Sequence, residues 1–470
     1  MKNITPIAKI NNKTHCEILD EIVNKIKNIN FENIIHEEKV KEKLSQKHKI
    51  VIVIEKVLEI AHTENMNICY KDGFTYIFNG KFWDTIDQND IEIFLGKAAQ
   101  KMGVDKINAS HFDFKEKLFK QFCSVGGFQN FQTENYDEIL INFDNGTLVF
   151  KNGTFHLRDH DANDFLKYKL PFRYDPTSHS TLYQNYLDQV LPEKGLQNII
   201  SEFVGSIFIS QKILKIEKVL FLYGVGANGK SVLADVIYAL LGKEINVSSY
   251  SMHSLTDEKG YTRAMIQNRL LNIASELTGI GNTGIMKQLI SREPIEARLP
   301  YGKPFTMTNY PRLMINCNEL PKNTELTEAY FRRLFIIPFN LRIEEKNQDK
   351  NLAQKIIENE LPAVFNWVLN GLTRLLENKE FSHSDTVQEM VNEYRLNSDT
   401  VSLFLEEENW TVCSTEYISL KDFYIKYQVY VIECGHVKCS RKTFSERLRK
   451  KGYVLERKTH GFIVHAKINN

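Results

Sequence analysis

Residues 224–231 read G-V-G-A-N-G-K-S and place two glycines, a lysine and a hydroxyl in the spacing G-x-x-x-x-G-K-[ST], which suits a chain of phosphates. Glycine adopts backbone conformations closed to other residues, so successive N–H groups can turn inward around an anion. A helix opened by such a loop adds the positive end of its dipole. On this reading Gly224, Gly226, Ala227, Asn228, Gly229, Lys230, Ser231 and Val232 cradle ATP, Lys230 reaches the β and γ phosphates, and Ser231 ligates Mg²⁺. The flanks agree, with VLFLY before the loop reading as a strand and VLADVIYALLG after it as a helix.

Later features follow the loop in a fixed order: RLLNIASE, SREPIEARLPYGKPFTMT, RLMINCNELP and FRRLFIIPF. Together with Asn228 in A-N-G-K-S they resemble the superfamily 3 helicases of phages, plasmids and poxviruses, a branch of the AAA+ ATPases. The resemblance covers well over half the chain, and it implies a role for each segment. Glu276, ending an apolar run, corresponds to the second acidic motif, where a carboxylate holds Mg²⁺ through water or polarises the attacking water. Ser275 stands where related motors often carry a second carboxylate, so this chain departs from the pattern and which of the two roles Glu276 takes stays open. Asn318 corresponds to the polar sensor of the γ-phosphate or the lytic water; the plain alternative is a turn residue before Glu-Leu-Pro. Arg333, with Arg332 as the alternative, corresponds to the arginine finger that stabilises transition-state charge on a neighbouring subunit's nucleotide, and so implies a ring. An internal salt bridge is the competing role for that pair. The segment between resembles a channel hairpin that grips the DNA backbone without sequence preference, through Arg298 and Lys303. Many relatives carry a primase, but neither paired Cys-x-x-Cys zinc ligands nor a convincing Asp-x-Asp metal site stands before residue 180, and priming is not expected here.

The elements that must position these residues can be read from periodicity. Apolar runs of strand length (VLFLYG, RLLNIASE, RLMINCN, LFIIPF) alternate with helical stretches, which predicts a mostly parallel α/β sheet. Before it, EILDEIVNKIKNI has helical spacing, and FTYIFNGKFWDTID and ILINFDNGTLVFKNGTFHLRDH read as small β elements turning at Asn79-Gly80, Asn145-Gly146 and Asn152-Gly153. Prolines 171 and 176 break the pattern near residue 180, ahead of a helical stretch from Leu182 to Phe208. After the sheet the chain turns helical again, through LAQKIIENELPAVFNWVLNGLTRLLE.

From Thr415 onward twelve Lys and Arg face five Asp and Glu, a local balance of +7. YISLKDFYIKYQVYVIECG and SRKTFSERLRKKG read as helices, the second with Ser440 as N-cap, and YVLERKTHGFIVHAK as a hairpin near His460-Gly461. This pattern is winged-helix-like. Its second helix would offer Arg441, Lys442, Arg447, Arg449, Lys450 and Lys451 to duplex DNA at an origin, unless it is a solvated basic face or a protein-docking module.

The fold expected is therefore multidomain α/β. It comprises an N-terminal α+β region (1–125), a helicase-associated collar (126–215), an AAA+ P-loop parallel-sheet core (216–345), a helical lid (346–412) and a winged-helix-like domain (413–470). Bulk properties narrow the class further. A 470-residue chain with 42% hydrophobic and 25% charged residues can bury several cores. A net charge of +1 leaves nucleic-acid binding to local patches. Seven scattered cysteines and a polar N-terminus predict a reducing, cytoplasmic setting, which the helicase resemblance implies is a bacterial host cell, and Cys434, His436 and Cys439 lack zinc spacing. The apolar stretch from Ile199 to Gly226 is interrupted by Glu202, Lys212, Lys215, Glu217 and Lys218, which excludes a bilayer span. The reading that accounts for most residues is a hexameric, ATP-driven DNA helicase replicating a phage, plasmid or phage-satellite genome, with origin binding. An ATP-switched origin-binding initiator without processive unwinding is the alternative. A P-loop kinase explains the loop but neither the paired arginines nor the basic C-terminal segment.

Overall fold

Asx-Gly turns and period-two alternation build the first part of the chain as the sequence predicts. The computed structural model describes residues 14–37, 42–64, 66–71, 73–126, 138–275, 281–300, 302–321 and 327–469, and the chain divides into two compact units, Met1–Tyr174 and Asp175–Asn470.

In the first unit Phe74–Phe78 and Trp83–Ile86 pair across the Asn79-Gly80 turn, and Ile68–Lys71 adds a third antiparallel strand. A second antiparallel sheet joins Ile139–Phe143, Gly146–Lys151 and Thr154–Arg158. Its turns use positive φ at Asn152 (51°) and Gly153 (79°), the conformation that tight hairpin turns demand. Helices His15–Lys25, Gln46–Thr63, Gln88–Met102 and Phe112–Val125 bury one apolar face each, from Ile18 and Ile22 to Phe114 and Phe122, in a common core.

The second unit is organised by a five-stranded parallel sheet. We label its strands β1 (Val219–Tyr223), β2 (Val247–Ser248), β3 (Leu271–Ser275), β4 (Arg312–Cys317) and β5 (Leu334–Pro338); they lie in the order β5-β1-β4-β3-β2. Four are the apolar runs of the sequence. Their continuous apolarity follows from burial on both faces, with Val219, Phe221, Ala274, Ile315 and Ile336 all at 0% exposure. The two-residue β2 was too short to give a pattern. Cys317 of β4 pairs with Tyr223 of β1, and Pro338 of β5 pairs with it from the other side, so the loop leaving β1 emerges between the ends of its two neighbours. In open α/β sheets that carboxyl edge is where ligands bind.

Helices Leu182–Val190 and Lys194–Gly205 precede the sheet, and Leu361–Asn378 packs against the latter so closely that a Cβ on Gly205 would lie 2.9 Å from Leu372 Cβ. The fully buried Glu202 is satisfied there by Arg374 Nε at 2.5 Å and by the Ser382 amide and hydroxyl at 2.8 and 2.6 Å.

Two expected boundaries move. The 126–215 stretch expected as one collar is shared between the units, because its strands complete a sheet of the first while its helices pack in the second. The C-terminal module also begins earlier than residue 413. Helix Thr400–Glu407 puts Val401, Phe404 and Leu405 on one face, and Phe404 lies 5.5 Å from the Phe423 ring inside that module's core. The rest of the module follows the sequence: helices Leu420–Glu433 and Arg441–Lys450, then strands Leu455–Lys458 and Gly461–Val464 paired as a hairpin. Among the described residues no helix is long and apolar enough to cross a membrane.

Candidate functional site

The glycine loop is held in its unusual shape from three sides. Gly226, Ala227 and Gly229 all take positive φ (97°, 51° and 85°), an arrangement that aims backbone N–H groups into a concavity. For Ala227 this conformation is strained. Its carbonyl accepts from the Ile343 amide at 2.8 Å. The Asn228 amide is buried; its Nδ2 donates to Phe339 O at 3.0 Å and its Oδ1 accepts from the Lys230 amide at 3.3 Å. Tyr186 donates its hydroxyl to Gly229 O at 2.8 Å from the preceding helix. A Cβ on Gly229 would come within 2.8 Å of Val190 Cγ1, so only glycine fits both the backbone and the space.

Helix Lys230–Leu241 starts directly on this loop. Its N-cap is Gly229, which has no side chain to satisfy the first amides, so the helix presents its positive end to the loop. The Lys230 ammonium folds back beneath, donating to Gly224 O at 2.5 Å, Asn318 Oδ1 at 2.7 Å and Cys317 O at 3.0 Å. It is only 4% exposed, and burial pulls its pKa below the usual lysine value. All three acceptors are neutral. Ser231 is exposed on the first turn and Val232 is half-buried beside it. The arrangement can hold an anion at the loop, and the Ser231 hydroxyl could ligate a hard cation carried with it. Beside the loop, Ala227, Arg342, Ile343, Glu344, Glu345, Gln348 and Lys350 line a cleft of about 480 Å³.

The structure brings Asn318 to the loop, since β4 ends next to β1. Glu276 lies outside the described residues; β3 ends at the exposed Ser275 that precedes it. Arg333 and Arg332 part company. Arg333 is 7% exposed and turned inward, with Nη2 2.7 Å from Glu217 Oε2 and with Ser291 Oγ and Ala329 O as further partners. This is the internal ion pair that competed with the finger role. The Arg332 side chain is 64% exposed and only 3.9 Å from Glu217 at its nearest approach.

Arg298 and Lys303 lie in an antiparallel hairpin, Ile295–Arg298 with Pro304–Met307, and both are exposed; Arg298 Nε donates to Gly302 O at 3.0 Å. In the C-terminal module Ser440 caps its helix as expected, accepting from Thr443 N at 3.1 Å, and Arg441, Lys442, Arg449, Lys450 and Lys451 are exposed. Arg447 departs from expectation. It lies on the buried side of the helix, with Nη1 3.0 Å from Asp399 Oδ1, because the earlier helix brings that carboxylate against it.

Sequence reasoning missed Phe339, Ile343 and Tyr186, which act on the loop through a backbone carbonyl, an amide and a hydroxyl and leave no motif. Glu217 and Lys218 registered only as charges that interrupt an apolar run.

Residues 222–333 match the family model described as a family of unknown function (DUF5906), and residues 55–192 match one described as D5 N terminal like. "Putative helicase L207/L206" of Acanthamoeba polyphaga mimivirus is 25% identical over 281 residues, covering 56% of this chain and 28% of that protein. "Putative helicase 121R" of Invertebrate iridescent virus 3 is 24% identical over 374 residues, covering 70% of this chain and 39% of that protein. Over these spans the chain is similar to viral proteins named as putative helicases. The matches span less than half the length of these curated relatives. Two solved apo structures of the NrS-1 C-terminal region align over 88% of this chain and 98% of theirs, at 12% to 13% identity with TM-scores of 0.46 and 0.47.

Proposed function

We propose that this chain is the ATP-driven motor of a hexameric DNA helicase that replicates a phage, plasmid or phage-satellite genome. One observation carries the reading: the Lys230 ammonium is buried among Gly224 O, Cys317 O and Asn318 Oδ1, and no carboxylate among the described residues pairs with it. A buried cation without counter-charge is costly, and an anion seated at the glycine loop and helix N-terminus offsets that cost. The donor set suits ATP with Mg²⁺: glycines where a Cβ would collide, a cation, amides and the exposed Ser231 hydroxyl. ATP bound there supplies the phosphoanhydride whose cleavage drives movement, and Mg²⁺ offsets its charge.

The chain's own residues would then divide the work. Lys230 holds the β and γ phosphates and Ser231 the metal. Asn318, touching Lys230, orients the γ-phosphate or the water, and Glu276 serves as metal partner or base. Arg332, the exposed member of the pair, replaces Arg333 as the finger offered to the next subunit. Arg298 and Lys303 grip single-stranded DNA in the channel of the AAA+ ring. Arg441, Lys442, Arg449, Lys450 and Lys451 of a winged-helix-like module bind origin duplex, while Arg447 stays with Asp399.

The test is ATP-dependent strand displacement on forked DNA by the wild type and by Lys230→Ala, with ATPase rates measured with and without single-stranded DNA. Unwinding by the wild type alone is the expected result. Hydrolysis without displacement would favour an ATP-switched origin-binding initiator, and undiminished turnover in Lys230→Ala would remove the loop from the reaction.

A further inference from the structure

The two ends of β1 carry different machinery. The glycine loop leaves its carboxyl end at Gly224, whereas Glu217 and Lys218 immediately precede its first residue, Val219. Val219 pairs with Leu334, so the start of β5, and Arg332 two residues before it, lie at the opposite edge of the sheet from the loop. Five residues at about 3.3 Å each separate the edges by about 17 Å, more than an arginine side chain spans. Arg332 therefore cannot serve the loop of its own chain.

At that edge three contacts fix the turn bearing Arg332. Lys218 Nζ donates to the Arg332 carbonyl at 2.7 Å and sits 4.4 Å from the Phe335 ring centroid. Glu217 Oε2 takes Arg333 Nη2 at 2.7 Å, and Arg333 also ties the turn to Ser291 Oγ and Ala329 O. The Val219 amide donates to Arg333 O at 3.0 Å. With Lys215 at 2.8 Å on the other oxygen, the Glu217 carboxylate is already engaged and holds Arg332 only at 3.9 Å. Burial, with Arg332 and Arg333 nearby, pulls the Lys218 pKa down to about 8, as expected of an ammonium confined among cations.

The geometry points to Glu217, Lys218 and Arg333 as positioning residues that clamp the Arg332 backbone while leaving its guanidinium free to reach the nucleotide loop of a second copy of this chain. The inference rests on the proposed ATPase ring and names the residues that aim its trans-acting cation. Arg333 and Glu217 do not touch the nucleotide; they act through Arg332.

The test uses full-length subunits mixed pairwise. A Lys230→Ala subunit cannot turn over ATP but offers an intact Arg332 to its neighbour. Glu217→Gln alone should lower kcat about a hundredfold, the scale of a misplaced catalytic group, with the KM for ATP unchanged. Mixing it with Lys230→Ala should restore turnover at its own intact loops, and Glu217→Asp should retain part of the activity. Lys218→Met, which removes the contact to the Arg332 carbonyl and the charge over the Phe335 ring but leaves the Glu217–Arg333 pair intact, should show the same loss of kcat and the same rescue, and it carries the test if Glu217→Gln folds poorly. Rescue of Arg332→Ala but of neither positioning variant would overturn the inference and leave the trans finger standing. Failure to rescue Arg332→Ala itself would overturn the trans reading and the inference with it.

Discussion

Replacing Asn228 by alanine tests how the glycine loop keeps its shape. The Asn228 amide is 3% exposed and bridges the loop to Phe339 O at 3.0 Å and to the Lys230 amide at 3.3 Å. Truncation takes a donor from a buried carbonyl, at a cost of about 1–3 kcal/mol, and a weaker contact of about 0.5–1 kcal/mol from the start of the helix. The loop also stores strain at Ala227, whose φ of 51° persists only while its neighbours enforce it. Once the clamp is gone the free loop relaxes, and a ligand must re-form it. If about 2–3 kcal/mol of the loss appears in binding, Kd for an ATP analogue with Mg²⁺ rises roughly 30- to 150-fold. Isothermal titration with a non-hydrolysable analogue measures this directly, and the ligand-induced rise in Tm should shrink in parallel. Asn228→Asp keeps the acceptor, loses the donor and adds a negative charge beside the bound phosphates, so it should bind more weakly still. An Asn228→Ala affinity within threefold of wild type would refute the argument that this amide pre-forms the loop.

Gly229→Ala meets both a φ of 85° and a Cβ placed 2.8 Å from Val190 Cγ1, so it should lower Tm and abolish nucleotide-dependent stabilisation in thermal melts. Arg374→Met leaves Glu202 buried without its guanidinium and should cost about 3–5 kcal/mol in denaturant unfolding, whereas pairing it with Glu202→Met should recover much of that loss. The Glu360 carboxylate accepts from Ser180 Oγ and from the amides of Thr181, Leu182 and Tyr183. Burial pushes its pKa up but these hydrogen bonds outweigh it, so the folded value lies below the usual carboxylate range. Its contribution is therefore present above the unfolded carboxylate pKa and is lost as pH falls through the folded value. Glu360→Gln should flatten the acid limb of the stability curve and lower stability at neutral pH by about 1 kcal/mol, the scale of a lost helix cap.

How much of this was legible beforehand depended on whether a feature was carried by side-chain pattern or by backbone. The four long strands of the sheet and the Asn-Gly hairpins announce themselves, because buried strands are apolar throughout and tight turns need positive φ. The shape of the loop was legible because glycines at that spacing mark the positive φ values found at Gly226 and Gly229. Phe339 and Ile343 were not, since they contribute a carbonyl and an amide that any residue possesses. Arg332 and Arg333 show a second limit. Adjacent residues at a strand entrance point in different directions, and which one is buried depends on Glu217, a carboxylate more than a hundred positions away. Helix Thr400–Glu407 shows a third, because its apolar face fits equally well into a lid or into the module that follows it.

The polarity of the parallel sheet then links these residues into one argument. In a parallel sheet every strand presents its start at one edge and its end at the other, so a loop after β1 and a turn before β5 are held apart by the strands themselves. The proposed anion site and the outward guanidinium are thus built on the same two strands yet barred from meeting within one chain. Lys230 is turned inward against neutral oxygens, where it needs an anion; Arg332 is turned outward over a carboxylate that Arg333 and Lys215 already engage. On the proposed reading, a phosphate seated at the loop of one copy supplies the anion that Lys230 lacks, and the outward Arg332 of the next copy would reach that same phosphate across a head-to-tail contact. Were that contact to close into the proposed ring, every copy would both offer and receive a guanidinium, and none would be left with an unmatched face.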